Sequence, residues 1–162
     1  MGIRFGEKLQ VVPLFAPAVS TADTVESAFV ALENVQWLTF IVQLGAMTSD
    51  VGDLLTFTVN TSTGQTTADA ISIPFTYRIS SAVGVDAWGA ITAGTTAGLA
   101  MTALQDNMAV QIDVDPASIP ALDSDALYCY LDFGTPTIVT GYASILAVIE
   151  PRYPQNANLT SS

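Results

Sequence analysis

Four aspartates lie close together in the run DVDPASIPALDSD, at Asp113, Asp115, Asp123 and Asp125. They are the only carboxylate cluster in the sequence and its first candidate for chemistry. A hard cation such as Ca2+ takes roughly six to eight oxygen ligands, often from one acidic loop. The run lacks the spacing and turn glycine of an EF-hand. Asp before Pro also initiates turns with no ion bound, so a solvated loop competes with a cation site. Two carboxylates can instead act as acid and base in glycoside cleavage. The sugar platform would then fall to Tyr128 and Tyr130, which alternate out of phase with Leu127, Cys129 and Leu131. A pair of tyrosines on one strand face also suits a subunit contact.

Nucleophilic chemistry finds little support. The chain has no histidine, so the commonest general base near neutral pH is missing. Its single cysteine, Cys129, sits in phase with apolar neighbours and reads as a buried thiol. A reactive cysteine needs a group that stabilises the thiolate, and no histidine exists to do it. The run TAGTTAGLA has no following lysine and is no phosphate cradle. No catalytic residue, cofactor or metal is therefore expected, and the chain reads as a non-enzyme.

The charge balance narrows the partners. Fifteen acidic residues against four basic ones give a net charge of −11. Nucleic acid needs Lys and Arg for its phosphates, so it is excluded as a partner, and anionic membranes are equally disfavoured. Residues 1–22 carry +1 and the remainder −12, so a near-neutral arm precedes an acidic body. Half of the residues are hydrophobic and only 12% are charged, which implies a large core, an apolar interface, or both. Two of the four basic residues sit in Tyr77-Arg78 and Arg152-Tyr153. Each arginine is expected to meet a carboxylate, with Glu150 and Asp86 as candidates, or to reach across an interface.

The elements that would position these residues are strands. Trp37–Leu44 is rich in β-branched and aromatic residues. Leu54–Thr61 alternates, with Leu55, Phe57 and Val59 on one face. Ile71–Ile79 alternates again, with Ile71, Ile73, Phe75, Tyr77 and Ile79 together and Pro74 marking an edge or bulge. Leu99–Leu104, Met108–Val114, Ala126–Phe133 and Ile138–Ile149 follow, the last two joined by a loop holding Gly134 and Pro136. The stretch Ile138–Ile149 is too short to cross a bilayer. The pattern predicts an all-β fold, an antiparallel β-sandwich or jelly roll of about seven or eight strands. The predicted core includes Leu55, Phe57, Val59, Ile71, Ile73, Phe75, Leu127, Cys129 and Leu131. Residues 1–24, with Pro13 and Pro17, read as an extended N-terminal arm, 25–155 as one sandwich domain and 156–162 as a polar tail. A short helix over 25–32 is a further expectation.

Three stretches together carry a family resemblance: Phe75–Ala93 (FTYRISSAVGVDAWGAITA), Ile112–Pro116 (IDVDP) and Glu150–Pro154 (EPRYP), with the polar ending Leu159–Ser162. In these the chain resembles small head structural proteins of tailed bacteriophages, encoded near the major capsid protein. The likeness runs from about Val35 onward. It implies a virion component, foremost a capsid decoration (cement) protein on the outer capsid surface. Its partners would be the major capsid protein and copies of itself, as a homotrimer or a dimer. A tail or neck protein of the same architecture and a carbohydrate-binding module are the alternatives. The expected interface comprises Leu9, Val11, Val12, Leu14 and Phe15 of the arm, together with Tyr128, Tyr130, Arg152 and Tyr153.

Overall fold

In a computed structural model, residues 8–48, 55–82, 84–101 and 107–153 are described, with the backbone alone for 19–24, 47–48 and 135–141. The strands are β1 (Gln10–Glu26), β2 (Val30–Ala31), β3 (Val35–Thr48), β4 (Leu55–Ser62) and β5 (Ile71–Ser72). Then come β6 (Phe75–Ile79), β7 (Thr92–Gly94), β8 (Leu99–Met101), β9 (Ala109–Val114) and β10 (Tyr128–Pro151). A 3-10 turn, Ile119–Ala121, precedes β10. Every pairing is antiparallel. Among the described residues no helix is long and apolar enough to cross a membrane.

The two layers of the sandwich share their longest strands. In the first layer β4 pairs with β5 and β8 on one side and with the start of β10 on the other. The far side of that β10 segment takes β2 and the end of β1. In the second layer the order is β1, β10, β3, β9, β6, β7. β10 thus pairs β4 through Tyr128–Gly134 and β3 through Thr140–Pro151, passing from one layer to the other. β1 follows beside it, with register shifts at Pro13/Phe15, Phe15/Ala18 and Thr21/Asp23 that let the pair bend.

Alternation explains the core. In one layer Phe57 and Val59 stand opposite Phe133 and Leu131, with Leu55 and Cys129 buried in the same core, and in the other Leu38, Phe40, Val42 and Leu44 line up with Ile149, Ala147, Ile145 and Ala143. Phe133 joins two clusters, edge-on to Phe15 at 5.3 Å and tilted against Phe57 at 5.9 Å. Gly98, at φ +89°, turns the chain into β8 where a Cβ would collide with the Phe57 carbonyl.

The structure corrects several expectations. Residues 10–24 are no free arm. They form most of β1, hydrogen-bonded to β10, and the expected boundary at 24/25 falls inside this strand. Leu14 is buried in the core, and Val12 and Phe15 pack against it. An extended run with apolar residues gains more by completing its own sheet than by waiting for a partner. Pro13 and Pro17 sit where a missing N–H is tolerated, because β1 lies at the edge of the second layer. Residues 1–7 of the arm and the tail 156–162 lie outside the described residues.

The region expected as helix, 25–32, holds the end of β1 and all of β2. The supposed loop at Gly134 and Pro136 belongs to β10, where two predicted strands are one. Ile71–Ile79 is conversely two strands. The chain leaves β5 at Ser72 and enters β6 at Phe75, so Pro74 marks a crossing from the first layer to the second. Ile71, left at the outer end of β5, is 43% exposed, and Leu127, before β10 begins, is 59% exposed. Both were predicted to be core.

Candidate functional site

The aspartate cluster divides between separate tasks. Asp113, on the outer face of β9, accepts hydrogen bonds from Thr39 Oγ1 (2.6 Å) and Gln111 Nε2 (3.0 Å to each oxygen). Gln111 Oε1 accepts from Arg78 Nε and Nη2 at 3.0 and 2.7 Å. The guanidinium lies over the Trp88 ring, 5.2 Å from its centroid. Arg78, Gln111, Asp113 and Thr39 therefore run as one polar chain across β6, β9 and β3, and Arg78 reaches a carboxylate through Gln111 rather than through Glu150 or Asp86. Asp115 accepts the Ala117 N–H and closes a turn. Asp123 is buried, accepts from Thr61 Oγ1 at 2.7 Å and receives the Asp125 N–H at 3.3 Å. Among the described residues no three His, Cys, Asp or Glu side chains are gathered as metal ligands.

Cys129 and Tyr130 occupy opposite faces of β10, and both are buried. Burial pushes the Cys129 thiol up to about 12. Tyr130 is 1% exposed, a correction to its expected surface role. Phe29 lies 4.7 Å from it and 6.5 Å from Tyr128, covering this outward face. Its phenol is also raised to about 12, by burial first and then by the charges of Asp132, Glu26 and Asp69. Next along the strand, Asp132 stands directly across from Glu26 of β1. Its Oδ1 is buried without a hydrogen-bond partner. Desolvation, reinforced by Glu26, lifts the carboxyl to about 6.

The outer face of the second layer is different in kind. Across β1, β10 and β3 the register aligns Val11 with Val148 and Thr39, and Pro13 with Leu146 and Ile41. Trp37, 41% exposed, flanks this stripe, and Tyr142, 56% exposed, lies beyond it along β10. The polar chain from Arg78 to Thr39 borders the stripe on its other side. The sheet thus presents an apolar half next to a hydrogen-bonded polar half. This combination can bind a complementary surface.

Of the residues expected at an interface, Val12, Leu14, Phe15 and Tyr130 are occupied by the protein's own packing. Val11 and Tyr153 are exposed, and Leu9 is half-buried. Tyr128 and Arg152 come together at a cleft of about 500 Å³. Trp37, Tyr142 and Leu146 were missed. Their signal was present in the sequence, since each is a large apolar residue on the outward phase of an alternating strand.

No protein-family model matches the chain, and no curated protein does. A solved structure described as "Structure of infectious bursal disease virus Gt strain" aligns with 88% of this chain at 8% identity and a TM-score of 0.23. The chain spans 41% of the length of that protein. A likeness at this TM-score carries no argument about fold or function.

Proposed function

We propose that the protein is a non-enzymatic structural component of a virion, a decoration protein that docks on a lattice of major capsid protein at the outer capsid surface. The observation that carries this reading is the apolar stripe of Val11, Val148, Leu146, Ile41 and Trp37 on a chain of net charge −11. Contiguous apolar area on an outer sheet face marks a contact with another macromolecule. The likeness of Phe75–Ala93, Ile112–Pro116 and Glu150–Pro154 to phage head proteins supplies the virion address. Self-association as a trimer belongs to the same proposal. A tail or neck location would use the same stripe. A carbohydrate platform has less support, because Tyr130 is buried.

The test pairs Trp37→Ser with Leu146→Ser, two outward positions whose loss leaves the core intact. Sedimentation with shells of the major capsid protein encoded beside this chain, and light scattering of the free protein, report the two associations. The double variant should melt within a few degrees of the parent while losing shell binding. Parent protein that stays monomeric and never co-sediments would refute the proposal.

A further inference from the structure

At one end of the sandwich, the β2–β3 turn, the 3-10 turn and the start of β10 enclose an open cleft of about 500 Å³. Its apolar wall comes from Leu32, Ile119, Ala126 and Leu127, with Tyr128 beside them. Two charged groups also line it, Glu33 and Arg152. Arg152 is held in place twice, by its backbone N–H on the Asn34 carbonyl (2.8 Å) and by Nε–H on the Val35 carbonyl (3.2 Å). The second bond fixes the plane of the guanidinium. Its two terminal nitrogens have no acceptor among the described residues.

We infer that this cleft binds the C-terminus of a peptide that ends in an aliphatic residue. The carboxylate would sit on the Arg152 fork, which matches two oxygens in one plane. The aliphatic side chain would fill the space between Leu32, Ile119 and Ala126, and a backbone N–H would donate to Glu33. The pair of opposite charges selects the ligand class. A peptide end offers a carboxylate together with amide donors, whereas a fatty acid satisfies Arg152 and leaves Glu33 facing hydrocarbon. An open cleft also lets the rest of a polypeptide run out into solvent. The inference is independent of the virion reading.

Three probes separate the possibilities: acetyl-Gly-Leu with a free carboxylate, the same dipeptide as its C-terminal amide, and decanoate. Titration into the whole chain is followed by backbone amide shifts in NMR spectra. Acetyl-Gly-Leu should give saturable shifts at Leu32, Ala126 and Tyr128. Amidation of the probe and Arg152→Gln should each weaken binding about tenfold, the loss of one charge-assisted bidentate contact. Glu33→Gln, an exposed change that leaves folding alone, should weaken it by a smaller factor. Equal binding of acid and amide, decanoate binding tighter than the dipeptide, or no saturable shift with any probe would each overturn the assignment.

Discussion

The two halves of β10 have the same alternating pattern and opposite fates. In Tyr128–Gly134 the inward residues Cys129, Leu131 and Phe133 meet the core, and the outward Tyr130 is buried as well, under Phe29. In the second half Ala143, Ile145, Ala147 and Ile149 face inward, but the outward Tyr142 and Leu146 stay exposed. One strand thus contributes a two-sided core at one end and an apolar outer face at the other. A covered outward face stabilises the monomer, and an uncovered one remains available to a partner.

Four experiments can break or sharpen that contrast. The largest effect should come from deleting residues 1–18, which removes most of the β1 segment paired with the second half of β10 and takes away Leu14 and Phe15. The loss should be about 5 kcal/mol or more, enough to abolish folding in a domain of ordinary stability. Far-UV circular dichroism and a melting curve read it. A deletion protein that melts like the parent would restore the free arm.

Next, Phe133→Ala should cost about 3–5 kcal/mol in urea titration, because it empties the junction between Phe15 and Phe57. Leu146→Ala, on the exposed face, should cost less than about 1 kcal/mol by the same measurement. Similar values for the two would mean that the outward face is covered after all.

Tyr130→Ala should cost about 3 kcal/mol and Tyr130→Phe little, since the ring fills space beneath Phe29. If Tyr130→Ala proves as mild as Leu146→Ala, the first half of β10 is not two-sided.

The smallest effect is electrostatic. Asp132 has its carboxyl raised from 3.8 to about 6 in the fold, so the native state binds the proton more tightly than the unfolded chain. Its contribution to stability is full below about pH 4 and is lost as pH rises through about 6. Asp132→Asn should therefore be more stable than the parent at pH 7 by about 1 kcal/mol, a modest figure because the side chain is only half buried. The two proteins should converge near pH 4. A parent stability that is flat across this range would place Asp132 in solvent.

Much of the fold was legible from period-two alternation. Leu55, Phe57 and Val59 announce their face, as do the inward residues of β3. Local pattern failed where long-range pairing decides. Nothing near Tyr130 reveals that Phe29, about a hundred positions earlier, will lie over it. Gly134 and Pro136 look like a loop, yet β1 and β10 stay paired on both sides of that point. Leu14 and Phe15 sit among prolines without clean alternation, because register shifts interrupt their strand. The site was half visible. Tyr128 and Arg152 were singled out, but their meeting in one cleft depends on the 3-10 turn and Leu32, which give no chemical signal. The apolar stripe required reading outward positions as carefully as inward ones.

The placement of β10 also constrains how the molecule is made. This strand joins both layers and pairs with residues from 10 onward, yet it is translated after every one of its partners. Until residue 128 and its successors emerge, β1, β3 and β4 hold apolar faces with no central strand between them. Folding dominated by such distant pairings takes milliseconds to seconds, slow beside helical proteins of similar size. During that interval the nascent chain exposes unpaired edges that invite association with other chains. β3 and β4 carry no carboxylate themselves, but the chain ahead of residue 128 holds thirteen acidic residues against three basic ones, most of them outside these strands, and that excess negative charge opposes association between neighbouring nascent chains.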